Sequence, residues 1–125
     1  MIRICCSGTP PQEAELSGTR ADLVELRAAI QRFCKLKRPI LEVAVDPSPG
    51  EGTLPGLRFV RTNSRVVVEV HGGRLLVSGR RDHLEQIALR LPCDARALSP
   101  ARVDGPDLVD PASLALILRS REGDS

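Results

Sequence analysis

Two histidines, four cysteines and three closely spaced aspartates are the residues of this 125-residue chain best suited to chemistry. His71 lies in His71-Gly72-Gly73, and His83 follows Asp82. An aspartate next to a histidine invites comparison with a hydrolase dyad. Consecutive residues on a helix point in different directions, so the pair is read as helix-start chemistry plus a solvated imidazole. Cys5, Cys6, Cys34 and Cys93 lack CxxC spacing and are scattered relative to the histidines, so no zinc set is expected. A nucleophilic thiol needs a neighbouring base or cation, and nothing in the spacing supplies one. The cysteines are read as reduced, small apolar side chains. Gly50, Gly52 and Gly56 form the most glycine-rich stretch, but Pro49 and Pro55 interrupt it and no helix follows, so it is not a phosphate cradle. No catalytic residue, metal site or cofactor is expected.

The third set differs in kind. Asp104, Asp107 and Asp110 surround Leu108 and Val109 in a Pro/Gly-containing loop. Asx-turn geometry accounts for each aspartate singly. Two apolar residues without helical or strand periodicity, ringed by carboxylates, have the layout of an interface centre with a charged rim. These five residues are the predicted partner-binding set. The basic residues Arg32, Lys35, Lys37 and Arg38 are read as complementing a helix C-terminus.

The elements that would position these groups repeat once. Leu16-Ser17-Gly18 is followed by Leu23, Leu26 and Ile30; Val77-Ser78-Gly79 is followed by Leu84, Ile87 and Leu91. Each copy reads as a strand ending at Ser-Gly, where glycine allows the turn, then a helix with one apolar stripe. Thr19 and Asp82 are the predicted N-caps, Asp82 with Glu85 having capping-box spacing, and Pro39 and Pro92 stop the helices. Strands are expected at Ile2–Cys6, up to Leu16, at Ile40–Val45, at Arg65–Val70 and Arg74–Val77 as a hairpin, at Ala101–Val103, and at Leu114–Leu118. Pro47–Gly56 and Asp104–Pro111 are expected loops.

The resulting expectation is one α+β domain over residues 1–125, with an internal strand–helix–strand repeat over 2–46 and 64–104 and a closing strand at 114–118. The sheet should be largely antiparallel, with both helices on one face. The totals agree: 42% apolar and 27% charged residues suit a globular chain. Two Phe, no Tyr and no Trp remove the stacking platforms of single-strand and RNA readers, and a formal charge of +2 is a weak electrostatic footprint, so nucleic acid is not expected. No apolar run approaches a membrane span and no signal-peptide layout opens the chain, so a cytoplasmic protein without membrane contact is expected.

The doubled strand–Ser-Gly–helix unit, together with the ending Gly105-Pro106-Asp107-Leu108-Val109-Asp110-Pro111-Ala112-Ser113-Leu114-Ala115-Leu116-Ile117-Leu118, resembles the bacterial immunity-protein family numbered thirty-two, from polymorphic toxin systems. The resemblance spans most of residues 13–118. It implies a non-catalytic protein that binds and neutralises a cognate toxin. The alternatives are a small-ligand-binding protein or enzyme with an unrecognised site, and a homo-oligomeric structural protein paired through a strand edge.

Overall fold

The computed structural model describes residues 1–6, 13–46, 52–93, 100–103, 105 and 107–121. Its first half contains strands β1 (Arg3–Cys6) and β2 (Glu13–Gly18), helix α1 (Arg20–Lys35), and strands β3 (Ile40–Val43), β4 (Thr53–Leu54) and β5 (Leu57–Arg61). The second half contains β6 (Val67–His71), β7 (Arg74–Gly79), α2 (Arg81–Arg90), β8 (Ala101–Val103) and β9 (Ala115–Ser120).

The α+β class and mostly antiparallel pairing are those expected, but the strands divide into two sheets rather than one. The orders are β4-β1-β2-β9-β8 and β3-β5-β7-β6. β1–β2 and β6–β7 are antiparallel, β2–β9 and β7–β5 parallel, and β9–β8 and β5–β3 antiparallel, so the same pairing order runs through both sheets. Each sheet joins a hairpin that precedes one helix to the strands that follow the other helix. The two helices pack together, and each touches strands of both sheets.

Local sequence explains the elements that were expected. Gly72 and Gly73 take φ of 61° and 77°, the positive values that a two-residue type I′ hairpin requires, and place His71 opposite Arg74. Thr19 caps α1 through its side chain, which accepts from the Asp22 N–H at 3.2 Å, while the Asp22 carboxylate accepts from the Thr19 N–H at 3.0 Å. Leu23, Leu26, Ile30 and Phe33 form the buried stripe of α1, and Leu84, Ile87 and Ala88 that of α2.

Four expectations need correction. The N-cap of α2 is Arg80, not Asp82; Arg80 makes no side-chain cap bond, and Asp82 sits in the first turn. The Ser-Gly glycines do not adopt positive φ. They are needed for space: a Cβ on Gly18 would lie 2.9 Å from the Ile2 side chain, and one on Gly79 would lie 3.1 Å from that of Val66. The expected loop Pro47–Gly56 lies outside the described residues at 47–51, and its remainder holds β4, paired with β1 through Ile4–Leu54 and Cys5–Thr53. The following run Leu57–Arg61, unassigned in the sequence, is β5, an inner strand whose Leu57 and Phe59 are fully buried.

The core is aliphatic and contains Leu16, Ile30, Phe59, Leu75, Leu84 and Leu118 among its buried side chains. Arg27 ties the two helices together. Its guanidinium donates to the carbonyls of Ala88 (3.0 Å), Leu89 (3.3 Å) and Leu91 (3.0 Å) at the end of α2.

Candidate functional site

The predicted partner-binding set lies only partly at the surface. Asp104 lies outside the described residues. Leu108 is 8% exposed and belongs to the core, so it cannot be the apolar centre of a surface patch. Its position is set by the edge of the second sheet. Val66 donates to the Leu108 carbonyl (2.8 Å), Asp110 donates to Val66 (2.9 Å), and Leu114 donates to Val68 (3.0 Å). The segment thus runs along the outer side of β6, and Val109 forms a parallel bridge with Val66. Asp107 is exposed, and Val109 and Asp110 are half-buried. Asp110 accepts from the Ala112 N–H at 2.9 Å, the Asx turn expected of it, and lies 4.0 Å from Arg65.

Val109 and Asp110 open onto a groove of about 290 Å³, bordered also by Arg102, Gly105, Pro111, Ser113, Leu114 and Ala115. It has an apolar wall with one cation and one carboxylate at its margin. Such a groove can seat a side chain of a partner, and among the described residues its lining includes no acid–base pair.

A larger groove of about 490 Å³ lies between α1, the chain start and the end of β3. Ile2, Leu26, Ala28, Ala29, Val43 and Ala44 supply its apolar wall; Asp22, Glu25, Arg32 and Glu42 are its charged members. Asp22 is engaged by the N-terminal ammonium at 3.2 Å and Arg121 at 3.7 Å. Desolvation opposes ionisation of its carboxyl, but the Thr19 hydrogen bonds and the ammonium outweigh it and hold the group below the usual carboxylate range. Glu42 pairs with Arg58 and with Arg74 (3.3 Å). This groove was missed in the sequence. No local spacing signals it, because its walls come from the chain start, α1 and the end of β3.

The remaining chemically suggestive residues are not brought together. His71 is exposed at the hairpin, whereas His83 is half-buried in the first turn of α2 with its Nδ1 buried and unpartnered among the described residues. Asp82 is drawn to Arg80 at 3.2 Å. Desolvation opposes its charge, but Arg80, His83 and the N–H groups of the helix start hold its pKa below the ordinary value. Cys34 and Cys93 are buried and unpaired, and Cys5 and Cys6 are half-buried. Burial pushes the Cys34 thiol up, Glu85 adding to the effect against Arg81 and Arg61; burial also raises Cys93, against Arg27. Burial and then Cys5 raise Cys6. These are settings of packed thiols rather than of nucleophiles. Among the described residues no three His, Cys, Asp or Glu side chains are grouped to hold a metal ion, and no helix is long and apolar enough to cross a membrane.

No protein-family model, curated protein or solved structure matches the chain.

Proposed function

We propose that this chain is a protein-binding module without catalysis of its own, and that it neutralises a cognate bacterial toxin, as the likeness to immunity proteins implies. The observation that carries the reading is the groove at residues 105–115. Loop residues held on a rigid sheet edge are placed to meet a partner without disturbing the core. Here Val109 and Leu114 face the groove, Asp110 and Arg102 stand at its margin, and Asp107 is exposed beside it. The partner surface therefore consists of Asp107, Val109, Asp110 and Pro111, with Leu108 holding the segment from below. A reducing, cytoplasmic setting suits four unpaired thiols.

The experiment is co-expression with the product of the neighbouring gene in a growth assay. Asp107→Arg and Pro111→Arg, both at exposed positions, should melt with the wild type and lose protection at least about tenfold, as a disrupted interface residue does. Full protection by both variants, or a neighbouring gene that is not toxic, overturns the assignment.

A further inference from the structure

The α1–β3 groove borders a strand edge, and both elements beside it are self-complementary in charge. Arg61 donates to the Pro39 carbonyl at 2.9 Å, and β3 pairs with β5 through Leu41–Phe59 and Val43–Leu57. In an antiparallel ladder, alternate residues turn their backbone groups to the same neighbour. Residues 39, 41 and 43 therefore face β5, and the N–H and C=O groups of Ile40 and Glu42 face outward. β3 ends its sheet, and no described strand covers that side. Pro39, the usual blunting residue of an edge, lacks its N–H on the β5 side and so protects nothing here.

The outward side chains follow the same alternation. Ile40 is 48% exposed, and Arg38 and Glu42 are exposed on either side of it. An antiparallel pairing of two such edges centred on Ile40 sets Ile40 against Ile40 and Arg38 against Glu42 of the second copy, twice by symmetry. The Glu42 carboxylate is half-exposed, and a carboxylate has about four acceptor sites, so its bonds to Arg58 and Arg74 leave room for a third cation. Beside the strand, α1 repeats the pattern. Glu25 and Arg32 line the groove without an ion-pair partner among the described residues, with Ala28 and Ala29 between them. Two copies of α1 crossing antiparallel over those alanines would face Glu25 with Arg32. Opposite charges placed evenly about an uncharged centre are what a two-fold, isologous interface requires.

We infer that the chain forms a symmetric homodimer through β3, extending the second sheet across two copies and bringing the α1 faces together over the groove. This surface is separate from the loop proposed above to meet a toxin, so neither reading depends on the other.

The test is sedimentation equilibrium of the full chain up to about 200 μM, a concentration at which a micromolar dimer is saturated. Wild type should reach twice the 13.5 kDa chain mass. Arg38→Glu and Glu42→Arg should each remain folded by circular dichroism and weaken the dimer at least about tenfold, because each turns both cross-strand pairs repulsive. Mixing the two variants restores both pairs and should recover the dimer as a heterodimer. Ile40→Lys, at an exposed position, should leave the melting curve unchanged and abolish association. A wild-type chain that stays monomeric overturns the inference, as does a dimer indifferent to these substitutions or a mixture of the two charge variants that does not associate.

Discussion

Leu108→Ala separates the two accounts of the 104–110 segment. As a surface anchor, Leu108 would be dispensable for folding. As a core residue it is not: 8% of it remains exposed, and its neighbours in the fold are held by the Val66 and Asp110 hydrogen bonds along β6. Truncating a buried leucine removes three carbons and leaves a partly relaxed cavity, costing about 2–5 kcal/mol. The segment lies at a sheet edge, where relaxation is easier than between two layers, so the lower part of that range, about 2–3 kcal/mol, applies. For a chain of 125 residues, about 4 °C in Tm per kcal/mol gives a fall of about 8–12 °C. Urea denaturation should show a lower midpoint with an unchanged m-value, since the unfolded chain exposes the same surface. Asp107→Arg, a few atoms away in sequence but exposed, serves as the control and should change stability by less than about 0.5 kcal/mol. If Leu108→Ala were as stable as the control, the packing argument would fail, and the original surface reading of Leu108 would stand.

Arg27→Ala should lower stability by about 1–2 kcal/mol in urea denaturation, because three carbonyls at the end of α2 lose a charged donor. Arg27→Lys should recover only part of this, a single ammonium being unable to fork across three acceptors; full recovery would refute the clamp. Thr19→Ala should cost about 1 kcal/mol through loss of the α1 cap. The native Asp22 pKa lies below its ordinary value, so the folded state gains from this carboxylate at neutral pH and loses that gain as pH falls from about 4 downward through the native pKa. The acid limb of the stability curve should therefore be shallower in Asp22→Asn than in wild type, with the two curves parallel above about pH 5; an unchanged acid limb would refute the role given to Asp22.

What the sequence made legible was local. The α1 cap needs only Thr19 and Asp22, three residues apart, and the hairpin at Gly72-Gly73 needs only two positive φ angles. The helical stripes likewise depend on spacing alone. What escaped was set by distant partners. β5 has the right alternation at Leu57 and Phe59, but its place between β3 and β7 is fixed by parallel pairing to a strand that lies beyond the β6 hairpin. Leu108 showed no periodicity because it belongs to no regular element; its backbone is held by Val66, far upstream. The start of α2 at Arg80 rather than Asp82 was likewise not local, since the Arg80 N–H is held by the distant Ser64 carbonyl at 2.9 Å. The α1–β3 groove was hidden for the same reason, since it requires the chain start, α1 and β3 to meet.

The exchange of strands explains why both candidate surfaces arise where they do. β2 and β7 sit inside their sheets, each flanked by its own hairpin mate and by a parallel strand from the other half. Among the described residues, the strand that directly follows each helix has one neighbour: β3 beside β5, and β8 beside β9. The opposite margins are covered, β1 by β4 and the Val45 bridge, β6 by the segment through Val109. The larger groove lies beside β3, and the smaller one is bordered by Arg102 of β8. The two grooves are therefore set differently: the smaller is built around the segment that covers the margin of β6, and the larger lies beside the edge of β3. After β8, the turn at Gly105 leads into a segment that buries Leu108, half-buries Val109 and Asp110 and leaves Asp107 and Pro111 exposed along β6; after β3, the chain passes through Ala44 to Val45, and no described strand covers the β3 edge. On the readings proposed above, the loop along β6 would meet a foreign partner, and the charge-balanced edge of β3 would pair with its own kind.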